Sequence, residues 1–352
     1  MFRLERFTTL DEVADVYREL SERSQNLFAS WEWASIWWRH FGGGRTLAVT
    51  VARETDGGRA VAIAPLYLFS RAPLRVLRFA GHGAGDWLGP ICAPGGGRGG
   101  ADALRATLAQ TDDWDVLLAE RMRCDDPAAG ISAGSVLRRE SFPILPFRGR
   151  TWDEILAERS ANFRQQVRRR ERRLAKSGKL EYRLCDDPDR LDADLDVLFD
   201  LHAAHWKRGE SNAFSHARRS FHRDFARVAL DRGWLRLWVM ELDGRPVAAW
   251  YGFRRGNVEW YYQSGRDPAF DHDSVGFVLM CHTIRSAVDD GMDAYWFLRG
   301  DEPYKDRFAE EDPGLKTTAV AHGLRGRAAI VGARGIRRLP SVGRRWVRAR
   351  LA

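Results

Sequence analysis

Ala294-Tyr-Trp-Phe-Leu-Arg-Gly-Asp-Glu-Pro-Tyr-Lys305 governs how the rest of this sequence is read. The run from Ala294 to Leu298 is apolar and aromatic, the pattern of a strand buried on both faces. It breaks off at Arg299-Gly-Asp-Glu-Pro-Tyr-Lys305, which delivers two acids, two bases and a phenol to one end of a sheet. Open α/β sheets place their ligands at that carboxyl edge. Gly300 permits close backbone approach, and Pro303 stiffens the turn. The competing reading is a solvated loop held by an acid–base ion pair. We take the stretch as a site.

Working outward, two halves of the chain echo each other. Thr46–Arg53 alternates like a strand, Asp56-Gly-Gly58 signals a turn, and Arg59–Ala64 follows as a second strand. Arg236–Leu242, Asp243-Gly244 and Arg245–Ala249 repeat that order, and Trp114–Leu118 resembles Ala294–Leu298. Helices precede each meander. Val13, Val16, Tyr17 and Leu20 share one helical face, and Ser30 is placed to cap Trp31–Phe41 before Gly42-Gly-Gly44. Leu191, Leu195, Leu198, Phe199, His202 and Trp206 trace another stripe, and Phe221, Phe225 and Val228 a further one. The expected class is α/β (α+β) in two domains: 1–150, 151–325 after the prolines at 143 and 146, and a basic tail over 326–352.

Among the 352 residues, 44% are apolar, enough to build a sizeable core. The net charge of +8 is uneven. Residues 160–179 carry +7 and residues 323–352 carry +9, so the remaining body is acidic at −8. Cys92, Cys124, Cys185 and Cys281 are widely spaced, which fits reduced thiols rather than a disulfide frame or a zinc knot. No secretory signal or membrane-length apolar run is present, so a cytoplasmic location is expected.

Four further stretches bear on chemistry. Asn162–Lys176 reads as a basic helix with a thin stripe of Phe163, Val167 and Leu174, capped by Ser160 and ended by Gly178. It suits polyphosphate, nucleic acid or an anionic glycan, against the plainer reading of a solvated face. His202 and His205 have a feasible metal spacing, but no third ligand is evident, and no metal is expected. His202 is either a core histidine or part of a substrate wall with Trp206. From Trp260 a strand leads through Gln263, Gly265 and Asp267 to a helix starting at Ser274, whose free N–H groups favour an anion. Gly81–Pro90 is Gly-rich, and Asp86 in it is a candidate for a groove between the domains.

Together, the basic Asn162–Gly178 helix, Leu201-His-x-x-x-Trp206, Tyr262-Gln-Ser-Gly265 with Asp267-Pro268, and Arg299–Lys305 resemble GNAT-superfamily acyltransferases of the cellulose-biosynthesis (CelD/BcsL-like, BioF2-like) type, which are related to the Fem peptidyltransferases. The resemblance implies two tandem GNAT-like domains, each a mixed, mostly antiparallel sheet flanked by helices. It also implies acyl transfer from acyl-CoA to an amine or hydroxyl of a small molecule or glycan, in exopolysaccharide or envelope synthesis. The alternatives are an aminoacyl-tRNA-dependent Fem-like transferase and a non-catalytic scaffold. Glu302, Asp301 or His202 would accept a proton, Tyr304 would protonate the leaving thiolate, and Lys305 would stabilise the oxyanion. Asp86, Trp206, Gln263, Asp267 and Arg299 would bind substrate, and Ser274, Val275, Gly276 and Phe277 the coenzyme. The family's usual Gln/Arg-x-x-Gly-x-Gly/Ala loop is replaced here by Gln263-Ser-Gly265, a long loop and then Gly276.

Overall fold

The structure is a computed structural model describing residues 2–71, 73–93, 96–111, 113–130, 134–205 and 213–338. Two units divide the chain, Met1–Glu140 with Pro313–Ala352, and Ser141–Asp312. The first contains β1 (Phe2–Phe7), α1 (Ala14–Glu22), α2 (Trp31–Phe41), β2 (Thr46–Glu54), β3 (Ala60–Arg71), β4 (Leu74–Phe79), β5 (Ile91–Cys92), α3 (Gly97–Gln110), β6 (Val116–Arg123) and β7 (Ser135–Glu140). The second contains β8 (Ile144–Pro146), α4 (Trp152–Ala157), α5 (Ala161–Ser177), β9 (Leu180–Leu184), α6 (Leu191–His205), α7 (His216–Asp231), β10 (Leu235–Leu242), β11 (Arg245–Arg255), β12 (Val258–Arg266), α8 (Val275–Asp289) and β13 (Ala294–Trp296). The chain then returns to the first unit through β14 (Leu315–Ala321) and α9 (Gly323–Arg338).

Backbone ladders displace the divisions expected at 150 and 325. β8 pairs with β13, so the second unit already begins at Ser141, while β14 pairs with β6 and β7 and so belongs to the first. The first sheet runs β1-β2-β3-β4-β6-β14-β7, with β5 on β3, and the second runs β8-β13-β12-β11-β10-β9. Each combines an antiparallel meander with one parallel pair, β4 with β6 across α3 and β12 with β13 across α8. The repeat legible in the sequence is therefore a repeat of topology: β2 matches β10, β3 matches β11, and β6 matches β13.

Period-2 patterning explains why the second sheet is buried on both sides. Trp238, Met240, Ala248 and Trp250 point to the face covered by α8, where they pack with Val278, Leu279 and Ile284. Tyr251 and Phe253 point to the other face, where their rings meet Phe214, His222 and Phe225. On α5 the buried residues are Phe163, Val167 and Leu174, as the stripe predicts, and Phe163 N–H donates to Ser160 Oγ at 3.2 Å. In the first unit Ser30 caps α2 in the same way, accepting from Trp33 N–H at 3.2 Å.

Glu310 ties the end of the second unit to its beginning. Its carboxylate takes Arg150 at 3.0 Å, Arg148 at 3.0 Å and Arg159 at 2.7 Å. Burial opposes the charged form, but the Arg150 and Arg159 guanidiniums outweigh it and hold the carboxyl below its ordinary range. Because the folded-state value is the lower one, the stabilisation is complete above the ordinary carboxylate pKa and fades as pH falls through the folded value. Glu310→Gln is therefore expected to cost roughly 1–2 kcal/mol at neutral pH. Parent and variant should converge in acid; urea unfolding at both pH values checks this, and an equal gap at both would refute the assignment.

Candidate active site

β12 and β13 stay together for only three register pairs, Val258–Ala294, Glu259–Tyr295 and Trp260–Trp296. Beyond Trp296 the chain turns away. Phe297 and Leu298 are buried, yet Leu298 has φ +56° and Gly300 φ +134°, so the strand expected to reach Leu298 ends two residues early. β12 continues to Arg266 paired with β11 but no longer with β13. The wedge between the parted chains is a cavity of about 460 Å³.

A bulge shapes its floor. Tyr251 pairs with Gln263 and Gly252 with Tyr261, leaving Tyr262 as the extra residue on β12. In a regular strand, residues three apart face opposite ways. Here the bulge puts Tyr261 and Ser264 on one face, with Tyr261 Oη 2.7 Å from Ser264 Oγ. Tyr304 Oη extends the chain, donating to Tyr261 Oη at 3.3 Å. A Cβ at Gly252 would strike the Trp250 ring and the Trp260 carbonyl, so the bulge requires a glycine there.

The walls are sorted by element. β12 supplies Tyr261, Tyr262, Gln263, Ser264 and Arg266; α8 and the residue before it supply Ser274, Gly276, Phe277, Leu279 and Met280. The loop after β13 adds Arg299, Glu302, Tyr304, Lys305 and Arg307, α5 adds Arg170, and α6 adds His205. Five cationic side chains thus face two carboxylates, Asp271 and Glu302. Burial, with the nearby Arg307 charge, lowers the Arg170 pKa, the signature of cations crowded into one space. Both guanidiniums lie against aromatic rings, Arg307 over Phe163 at 4.4 Å and Arg170 over Phe277 at 4.9 Å.

Of the residues anticipated from sequence, Arg299, Glu302, Tyr304, Lys305, Gln263, Ser274, Gly276 and Phe277 come together here. Lys305 is 3% exposed, and its ammonium is shared between the Arg299 carbonyl at 2.9 Å and Glu302 at 2.8 Å. It holds the loop and the carboxylate rather than standing free over the cavity. Burial, then the neighbouring Tyr261, raises the Tyr304 pKa well above the usual phenol range, so this hydroxyl keeps its proton at neutral pH.

Other residues lie elsewhere. Asp301 is exposed and outside the cavity lining. Val275 is fully buried in the core against α8's neighbours. Asp267 accepts from Ala269 N–H at 2.9 Å and pairs with Arg245, capping the 3-10 turn at Pro268–Asp273. His202 faces the core side of α6, where its Nδ1–H donates to the Ser264 carbonyl at 2.9 Å. Burial lowers its pKa, so it is neutral and engaged with β12. Ser274 occupies the N-cap position in left-handed conformation, without the side-chain cap its position suggests. Asp86 belongs to the first unit, is 5% exposed and lies 3.4 Å from Arg121. Trp206 falls outside the described residues.

Arg170, Tyr261, Ser264, Arg266, Asp271 and Arg307 are among the cavity residues that sequence reading did not assign. Arg170 was visible as part of a basic helix, but its direction depends on how α5 packs. The Tyr261–Ser264 pair follows from a bulge that strand periodicity does not reveal. Among the described residues no group of three His, Cys, Asp or Glu side chains is placed to hold a metal, and no helix is long and apolar enough to cross a membrane. None of the four cysteines is bonded to another, and burial pushes the Cys92 and Cys185 thiols up to about 12.

Residues 161–306 match the family described as the acetyltransferase (GNAT) domain. Among solved structures the chain is similar to FemX, with TM-score 0.57 and 12% identity over 90% of this chain and 96% of that one. It is also similar to the C-terminal domain of a putative lysylphosphatidylglycerol synthetase from Agrobacterium fabrum (0.55, 12%, 92% and 95%). A third is L-PGS from Bacillus licheniformis (0.53, 13%, 93% and 97%). At such identities the likeness is one of fold. No curated protein matches the sequence. The second unit thus matches the GNAT acetyltransferase domain over residues 161–306, and the chain as a whole is built from two mixed sheets flanked by helices.

Gly300 holds the loop in register. At φ +134° a side chain is strained, and a Cβ there would collide with the Glu302 carboxylate and come within 2.7 Å of Lys305 Nζ. Gly300→Ala is expected to cost roughly 1–3 kcal/mol locally. It should speed deuterium exchange at the Lys305 amide, which bonds the Glu302 carbonyl at 2.9 Å. Unchanged exchange across 299–308 would show that the loop does not depend on this glycine.

Proposed function

We propose that the second unit transfers an acyl group from acyl-CoA to an amine or hydroxyl acceptor inside the β12–β13 wedge. The observation that carries this reading is the pairing of a cation-rich cavity with Glu302, Tyr304 and a length of β12 whose β13 edge is open. Cations at Arg170, Arg266 and Arg307 suit the phosphates of the donor. The acyl carbonyl would lie along β12 beyond Trp260, where this strand has no β13 partner and its backbone groups can receive the developing oxyanion.

Glu302, 42% exposed on its side chain and oriented by Lys305, would take the proton of the attacking amine or hydroxyl. The nucleophile's lone pair forms the new bond to the carbonyl carbon; collapse of the tetrahedral intermediate breaks the C–S bond. Tyr304 then gives its proton to the departing thiolate and recovers one through Tyr261 and Ser264. Gln263 and Arg299 would orient the acceptor, and Ser274, Gly276 and Phe277 would border the coenzyme. An acceptor on an envelope glycan and a cytoplasmic location fit the resemblance and belong to this proposal.

A second reading rests on a separate observation. Arg168, Arg169, Arg172 and Lys176 lie exposed on α5, and among the described residues Arg169 and Lys176 have no ion-pair partner. That face suits the backbone of an aminoacyl-tRNA donor. Thermal shift with an acyl-CoA series separates the two. If acyl-CoA is the donor, it should raise the melting temperature, and Arg170→Ala and Arg307→Ala should each weaken binding about tenfold. Glu302→Gln should lower turnover roughly 10²-fold or more while leaving donor binding intact. No shift with any acyl-CoA, together with ribonuclease-sensitive transfer, would establish the tRNA reading instead. No shift with any acyl-CoA and no transfer by the parent with either donor would leave a scaffold, whereas full activity in every variant would remove these residues from the mechanism.

A further inference from the structure

We propose that α9 seats the protein on an anionic lipid surface. The helix packs one side against the first sheet. Ile330 is buried with Val116 and Ala319, and Gly326 fits so closely against the Asp115 carbonyl that a Cβ would collide with it. At about 100° per residue, positions seven apart share a face. Leu324 and Val331 form such a pair, on the side of α9 away from Gly326 and Ile330. They are 81% and 68% exposed, against 44% for Val136, the other exposed large hydrophobic among the described residues. A single exposed leucine is ordinary, but two aligned on the face opposite the core form a ridge.

The charge around the ridge names its partner. Arg325 and Arg327 are exposed on either side of it; the Arg325 charge adds the smallest of several pulls on the Asp115 carboxylate. The sequence from Pro313 to Ala352 holds no acid, and residues 323–352 hold nine arginines along with Trp346, Val347 and Leu351. A nucleic acid would use the arginines but leave Leu324 and Val331 without a role. A membrane interface takes both, the apolar side chains entering below the headgroups and the guanidiniums meeting lipid phosphate. Gly326 and Gly332 also weaken the helix in water, so an apolar partner adds order that the local sequence does not supply.

Co-sedimentation of the full chain with vesicles tests this. The protein should pellet with phosphatidylcholine vesicles containing about a third phosphatidylglycerol, and hardly with phosphatidylcholine alone. Leu324→Gln/Val331→Gln should lower partitioning at least about tenfold. Arg325→Gln/Arg327→Gln should lower it too, and added salt should weaken the parent. These positions are solvent-exposed, so unchanged melting and acyl-CoA binding in the variants keep the result separate from the acyl-transfer proposal. Absent pelleting, equal pelleting with neutral vesicles, or undiminished binding by the glutamine pair would overturn the proposal. Retention of RNA without vesicle binding would overturn it as well, in favour of a nucleic-acid surface.

Discussion

The chemistry proposed for this molecule depends on a parallel ladder that stops too soon. Three residue pairs hold β12 to β13, and then the two chains part. Parting strands leave backbone groups without a ladder partner, which normally costs stability unless something else satisfies them. Here the cost is met by a loop with internal order. The Lys305 ammonium bonds the Arg299 carbonyl, and Lys305 N–H bonds the Glu302 carbonyl. Two non-glycine residues in left-handed conformation, Ser274 and Leu298, stand at opposite ends of the segment containing α8 and β13. Strained backbone of this kind concentrates where a site must be held open.

The first unit shows what the same topology does without that opening. Its parallel pair, β4 with β6, also runs for three residues, from Val76–Val116 to Arg78–Leu118. Past that point Arg78 reaches across to Glu120 with two hydrogen bonds, at 3.1 and 2.8 Å, and closes the gap. A separate small cleft, lined by Tyr17, Phe28 and Trp87 and by no residue of β6, measures about 10 Å³. Arg121 and Arg123 fasten the Gly-rich segment from within, Arg121 to the Gly85 carbonyl at 2.6 Å and Arg123 over the Trp87 ring at 4.8 Å. The repeated topology therefore opens into a cavity in the second unit, while in the first an Arg78–Glu120 ion pair spans the corresponding strands.

How much of this was legible in sequence follows from the range of each interaction. Caps and stripes are local, so Ser160 with Phe163, and Val167 with Leu174, could be read without a structure. The repeat was legible because hydrophobic alternation and turn residues recur in order. The unit boundaries were not, because the pairing of β14 with β6 joins residues nearly two hundred positions apart and leaves no local mark. His202 misled for a related reason. Its spacing from His205 suggests chemistry, but the Ser264 carbonyl that holds it lies on another element. That the Arg299–Lys305 cluster gathers at the end of a sheet was legible, while the separate fates of its members, four of which line the cavity, were not. Asp301 and Glu302 are adjacent in sequence, and only the turn at Gly300 decides which carboxylate meets the cavity.

That turn also orders the electrostatics. A cavity bearing five cations would hold its carboxylate too tightly for proton transfer if all of them converged on Glu302. Instead Lys305 takes that carboxylate alone, at 2.8 Å, while Arg266 turns to Asp271 at 2.6 Å and Arg307 to Gln166 at 3.0 Å. The arginines over Phe163 and Phe277 are set in place by aromatic rings rather than by acids. A guanidinium held this way remains fixed without being neutralised, so its attraction is kept for an incoming anion. The groups proposed to handle the proton and those proposed to hold the anion can then share one cavity without cancelling each other, because Lys305, Arg266, Arg307 and Arg170 have different neighbours.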